Sequence, residues 1–93
     1  MRFRDRDIED FWNDPLTPPR RLPPELRKAL FRKLQMLDAA ATLGDLRVPP
    51  GNRLEQLTGD RAGQHSIWVN SQWRLCFVWS HNEATEVELC DYH

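Results

Sequence analysis

The sequence is poor in the features that staple or anchor a chain. It has two cysteines, Cys76 and Cys90, in 93 residues. That is too few for a disulfide framework, and no Cys-x-x-Cys pair opens a zinc site. Apolar runs are short, as in Leu75-Cys76-Phe77-Val78-Trp79, so no segment is expected to span a bilayer. Met1 to Asp10 carries three arginines and four acids without an apolar stretch, unlike a secretory leader. Repeats and low-complexity tracts are absent, and lysine is nearly so: 11 of the 13 basic residues are arginine, leaving only Lys28 and Lys33. These absences predict a cytoplasmic chain with two free thiols and no membrane partner.

What remains has globular proportions. Hydrophobic residues make up 40% and charged residues 29%, with a net charge of −1, which suits one compact domain. Prolines divide the chain. Asp7 to Asn13 predicts a short helix burying Ile8, Phe11 and Trp12, stopped by Pro15. After a stiff Pro18–Pro24 connector, Leu26, Ala29, Leu30, Lys33, Leu34 and Leu37 recur at amphipathic-helix spacing. That helix runs to about Ala41 and is closed by Gly44. Beyond Pro49-Pro50-Gly51 the period falls toward two. Strands are predicted over Arg53–Leu57, His65–Asn70, Trp73–Trp79 and Thr85–Asp91, with a hairpin turn at Ser80–Glu83. Trp73, Leu75, Phe77 and Trp79 share one face of their strand, and Arg74, Cys76 and Val78 the other. The expected fold class is α+β: two N-terminal helices packed on one face of an antiparallel sheet of about four strands.

Three constellations can carry chemistry. Arg74 stands mid-strand on the face opposite the large apolar residues. It is either a surface cation paired with Glu86 or Glu88 or a fixed charge aimed at a phosphate. Asp91-Tyr92-His93 brings together a carboxylate, a phenol and an imidazole, groups able to hold and move protons; the competing reading is a frayed tail. Arg20, Arg21, Arg27, Lys28, Arg32 and Lys33 form a basic stretch that the near-neutral total conceals. It reads either as a solvated helix face or as a nucleic-acid footprint. Trp68, on the Arg74 side by alternation, is either a plain surface aromatic or a ring able to stack on a base. His65 and His81 lack metal-ligand spacing, and Gly59–Gly63 lacks the lysine and following helix of a phosphate loop. Alternation also puts Asp91 and His93 on the inward face with Val87 and Leu89. An open site there calls for a bulge or strand end near Cys90.

The stretch from Asn52-Arg53-Leu54-Glu55-Gln56-Leu57-Thr58-Gly59-Asp60-Arg61 to Ile67, the segment Gln72-Trp73-Arg74-Leu75-Cys76-Phe77, and Asp91-Tyr92-His93 together resemble the HigB toxins of the RelE-like superfamily. The similarity extends to Phe3-Arg4-Asp5, Leu37-Asp38-Ala39-Ala40 and Asp45 to Gly51. The resemblance implies a single RelE-like domain over residues 1–93 and a toxin of a type II toxin–antitoxin system. It further implies a metal-independent endoribonuclease that cuts mRNA on translating ribosomes without a cofactor. Its implied partner is a HigA-like helix-turn-helix antitoxin, and operator DNA is reached only through that antitoxin. The implied catalytic residues are Arg74, Asp91, Tyr92 and His93, with Arg53, Glu55, Thr58, Arg61 and Trp68 binding RNA. Glu55 and Thr58 stand where some members carry His and Lys. That departure supports an alternative: a ribosome- or antitoxin-binding module with a degenerate, non-cleaving site.

Overall fold

A computed structural model describes residues 1–92 of the chain. Its first helix, α1 (Arg6–Asn13), buries Ile8 and Phe11. Asp7 and Glu9 lie in its first turn, where the helix dipole favours negative charge. The second, α2 (Arg27–Ala39), runs on from a 3-10 turn begun by Pro24 and buries Leu30, Leu34 and Leu37. Phe31 locks the helices together, edge-on to Phe11 at 5.3 Å and stacked on Trp12 at 5.4 Å. The amphipathic spacing therefore identifies both helices, but α2 stops at Ala39 and Gly44 does not close it. Asp45 accepts hydrogen bonds from the backbone N–H groups of Ala41 and Thr42 at 2.9 and 3.0 Å. With Thr42 it forms a capping box that starts a separate 3-10 turn, Leu43–Arg47.

The strands are β1 (Glu55–Gln56), β2 (His65–Trp68), β3 (Trp73–Ser80) and β4 (Glu83–Asp91), paired antiparallel in chain order. Strand β1 is shorter than the predicted Arg53–Leu57. Arg53 takes a left-handed conformation (φ 47°) at the end of the Pro50–Asn52 turn and so cannot continue a pleat. The β3–β4 turn falls where expected: Ser80 pairs with Glu83, and His81 and Asn82 both have positive φ, as a tight two-residue hairpin requires. Residues Arg2–Asp5 follow the far edge of β4, with Phe3 bridging to Val87 in parallel.

One face of the sheet is the core. Ile67, Leu75, Phe77, Val87 and Leu89 pack against Ile8, Phe11, Leu30, Leu34 and Leu37, each full burial contributing about 1.5–3 kcal/mol. Trp73 belongs to this core, whereas Trp79, next to the hairpin where the sheet runs out, is only half-buried. Val69 is likewise half-buried beyond the end of β2. Two polar devices close the layers. Arg21 donates to Asp5, Asp7 and the Leu89 carbonyl at 2.6–2.9 Å, so the proline connector clamps α1 and β4. Lys33, placed on the apolar stripe by its spacing, donates to Asn52. Asn52 is fully buried and donates to the Leu46 carbonyl at 3.1 Å.

The ladder slips by one residue between Cys76 and Val78. The extra residue lies on β4, where Glu86 has φ 50°. This is a β-bulge, but it falls well before Cys90. Upstream of it Ala84 is the buried residue; beyond it Val87 and Leu89 are buried.

Candidate active site

The helices cover one face of the sheet and leave the other to Glu55, Ser66, Trp68, Arg74, Cys76, Glu88 and Cys90. The register sets them together: Glu55 faces Ser66, Ser66 faces Cys76, Trp68 faces Arg74, Cys76 faces Glu88, and Arg74 faces Cys90. Ser66, Cys76 and Cys90 are small and buried, forming a floor for the larger side chains above.

Arg74 is the centre of this layer. Its guanidinium carbon lies 4.9 Å from the Trp68 ring centroid and 4.2 Å from that of Tyr92. Trp68 also carries Arg53, at 4.5 Å. Arg53, Trp68, Arg74 and Tyr92 thus alternate cation and ring, each contact contributing about 0.5–2 kcal/mol according to its desolvation. Arg74 Nε and Trp68 Nε1 are buried and have no hydrogen-bond partner among the described residues, although each is a donor. Glu55 Oε2 lies 3.8 Å from Arg74 Nη1 and its side chain is 57% exposed. Water weakens that pair, so Glu55 fixes Arg74 less firmly than the two rings do.

Arg61 reaches the same face by another route. It forms a short ion pair with Glu88, which also lies 3.8 Å from Arg4. Arg61 further donates to Gln64 at 3.1 Å. Glu88 is therefore the counter-ion of Arg61, not of Arg74, and Glu86 sits in the bulge. The Tyr92 hydroxyl lies 3.8 Å from Cys76 Sγ. Hydrogen bonding from Cys90 and Tyr92, with Arg61 nearby, brings the Cys76 thiol down to about 7 despite its burial. Donation to Cys76, then burial, pushes Cys90 up. Burial and the Cys76 thiol raise Tyr92, so its phenol stays protonated at neutral pH.

The structure thus joins Arg74, Tyr92, Trp68, Arg53 and Glu55 and puts Arg61 beside them. Asp91 lies elsewhere: it pairs with Trp73, on the opposite side of β4 from Cys90, and accepts a hydrogen bond from Gln72 Nε2 at 2.9 Å. Thr58 is exposed and opens the Gly59–Arg61 turn, its carbonyl accepting from Arg61 at 3.3 Å. No hydrogen bond or ion pair among the described residues joins Thr58 to Arg74. His93 lies outside the described residues. Of the basic stretch, Arg21 and Lys33 are committed to structural bonds. Arg20, Arg27, Lys28 and Arg32 are exposed, and α2 carries the last three on the helix layer, across the sheet from Arg74.

Sequence reasoning missed the turn between β2 and β3. Asn70 Oδ1 accepts from the N–H groups of Gln72 and Trp73 at 2.9 and 2.7 Å, an Asx turn that the Asn70-Ser71 pair signals. Among the described residues no cluster of three His, Cys, Asp or Glu is placed to hold a metal, and no helix is long and apolar enough to cross a membrane.

This two-layer fold is shared with the structure of the YoeB-YefM complex from Staphylococcus aureus. The TM-score is 0.62 at 18% identity, over 99% of this chain and 93% of that one, a likeness of fold alone. A family profile described as RelE-like toxin of type II toxin-antitoxin system HigB matches residues 1–93. Among curated relatives, Toxin HigB-1 of Vibrio cholerae is 48% identical over 79 residues, 85% of this chain and 82% of that protein. Endoribonuclease HigB of Proteus vulgaris is 36% identical over 61 residues, 66% and 65% of the two chains. Fold and sequence together define the class, a RelE-like toxin of a type II toxin–antitoxin system. Within that class, the chain belongs to the HigB family.

Proposed function

We propose that the chain is an endoribonuclease that cuts mRNA on the translating ribosome in the cytoplasm, and so halts translation. The ribose 2′-oxygen at the cut site attacks the adjacent phosphorus while the 5′-oxygen leaves, giving a 2′,3′-cyclic phosphate. What such a step asks of a protein is in-line orientation and stabilisation of charge on the phosphate oxygens. The observation that carries this reading is Arg74, held by two aromatic rings on the uncovered face, with its Nε and the Trp68 Nε1 unpartnered among the described residues.

Each residue then has a role. Arg74 meets the phosphate charge, the part a metal ion would otherwise play. Trp68 and Arg53 present a stacking platform to a base. Glu55, exposed beside Arg74, accepts the 2′-OH proton where some family members carry His. Tyr92 keeps its hydroxyl protonated and, when RNA is bound, rotates that proton from Cys76 Sγ toward the leaving oxygen, and His93 supplies the second proton-moving group. Asp91 orients this terminus. Arg61 holds Glu88 neutralised beneath the RNA, and Thr58 lines its path as a neutral contact. A HigA-like helix-turn-helix antitoxin is the partner, and operator DNA is contacted through it. The relative named an endoribonuclease supports the activity.

The test is primer extension on mRNA carried by ribosomes incubated with purified protein. New 5′ ends should appear with the wild type and disappear with Arg74→Ala. Ribosome binding without new ends would favour the non-cleaving module, the reading that the Glu55–Arg74 pair supports.

A further inference from the structure

The Tyr92 ring, one of the two that hold Arg74, lies just past the end of β4, where a strand ordinarily frays. Two bonds from a single residue hold it there. The Tyr92 N–H donates to the Gln72 carbonyl at 2.6 Å. The Gln72 side chain donates from Nε2 to Asp91 Oδ1 at 2.9 Å. Gln72 is itself fixed: its N–H, like that of Trp73, is bound by Asn70 Oδ1, and Val69 and Asn70 donate to the Trp73 carbonyl at 2.8 and 3.1 Å. A closed turn therefore grips the terminus from the core side of β4 while Tyr92 lies over Arg74 on the other.

We propose that Gln72 is a positioning residue for the cleavage reaction, and that Asp91 serves as the acceptor by which Gln72 sets Tyr92 over Arg74, not as a proton carrier. This rests on the endoribonuclease reading above. The Gln72–Asp91 bond needs a donor on one side and an acceptor on the other, and an amide and a carboxylate can fill those parts from either side. Proton transfer by Asp91 would instead need the carboxyl group itself.

Four variants of the full chain separate these alternatives: Gln72→Glu, Asp91→Asn, Asp91→Ala and the Gln72→Glu/Asp91→Asn double variant. In the double variant the amide and the carboxylate change sides. Gln72→Glu sets two carboxylates against each other and Asp91→Ala removes the acceptor; each should lower the ribosomal cleavage rate about tenfold with KM within about twofold, since a misplaced group costs rate more than binding. Asp91→Asn keeps an acceptor oxygen, so it should stay within about threefold of wild type, and the double variant should return to the same range. A loss of about a hundredfold or more in Asp91→Asn, or failure of the double variant to recover, would overturn the proposal.

A second measurement does not depend on cleavage. The buried Arg74 Nε–H sits within reach of the Tyr92 ring current, so its NMR resonance should move in Gln72→Glu and return in the double variant. An unmoved Arg74 resonance would also overturn the proposal. A wild type that leaves RNA intact while the resonance behaves as described would instead refute the endoribonuclease reading, and with it the role in cleavage, while showing that Gln72 and Asp91 do set Tyr92 over Arg74.

Discussion

Asn52→Ala should be among the most damaging single truncations outside the apolar core. Asn52 is fully buried, accepts from the Lys33 ammonium and donates to the Leu46 carbonyl at 3.1 Å. A net hydrogen bond to a charged group contributes about 1.5–3 kcal/mol, and a buried carbonyl left unmet costs about 1–3 kcal/mol. Lys33 is only half-buried and regains some water, so the lower part of the first range applies and the loss comes to about 3 kcal/mol. A domain of this length has roughly 5–14 kcal/mol in all. Each kcal/mol moves the midpoint by about 4–8 °C, so Tm should fall by roughly 12–24 °C. Urea denaturation, with thermal melting by circular dichroism, measures both quantities. Asn52→Asp keeps an acceptor for Lys33 but turns a carboxylate oxygen onto the Leu46 and Val48 carbonyls, so it should not rescue. A loss below about 1 kcal/mol in Asn52→Ala would refute the reasoning, because no accounting of a buried carbonyl and an ammonium allows so little.

Four further outcomes follow from the site and its supports. Arg74→Lys keeps the charge but not the planar group that packs on Trp68 and Tyr92; cleavage should fall about a hundredfold while stability drops by only about 1–2 kcal/mol, as primer extension and urea titration will show. Retention of activity within about threefold would mean that point charge alone suffices. Tyr92→Phe removes a donor to Cys76, so the thiol, brought down to about 7 in the wild type, should shift upward toward its ordinary 9.0, read from ultraviolet thiolate absorbance. Because the folded state holds Cys76 below the unfolded value, the unfolded chain binds more protons between those limits and wild-type stability rises with pH from about 7 to 9.0. Cys90, displaced upward, reverses that slope above 9.0; urea midpoints that stay flat across both ranges would contradict the assignment. Arg21→Ala breaks bonds to Asp5, Asp7 and the Leu89 carbonyl and should cost about 2 kcal/mol; a loss under about 0.5 kcal/mol would show the clamp to be decorative.

Legibility followed the periodic signal. Leu30, Leu34 and Leu37 repeat as a helix repeats, and Leu75 and Phe77 alternate as a buried strand face alternates, so the layers and their order could be derived from residues alone. The segment between Ala40 and Leu54 could not. Its apolar residues Leu43, Leu46 and Leu54 fit neither period, and its organising residues are polar: Asp45 in a capping box and Asn52 beneath Lys33. Only the Thr42-x-x-Asp45 spacing was available as a signal. The face that carries Arg74 divides in the same way. Alternation correctly put Arg74 and Trp68 on one side, and Tyr92 joins them by the same parity once the register is known. Alternation could not show that Ser66, Cys76 and Cys90 on that side are buried, because the cover over them is made of arginine and aromatic side chains rather than a helix. The Gln72–Asp91 bond depends on the alignment of the start of β3 with the end of β4, which no single sequence reveals.

The bulge at Glu86 gives β4 an unequal tolerance to changes in length. Were the ladder to continue in the register of the hairpin, Arg74 would face Leu89 and the odd-numbered residues would share its side, placing Asp91 there and turning Tyr92 toward the core. The one surplus residue reverses that assignment. Removing Glu86 would leave every downstream partner in place and merely straighten the ladder. Removing one residue between Val87 and Cys90 would turn the whole terminus over. Across relatives of this chain, gaps should therefore collect at the bulge and be excluded from the five residues that separate it from Tyr92. Register, as much as residue identity, is what such a site inherits.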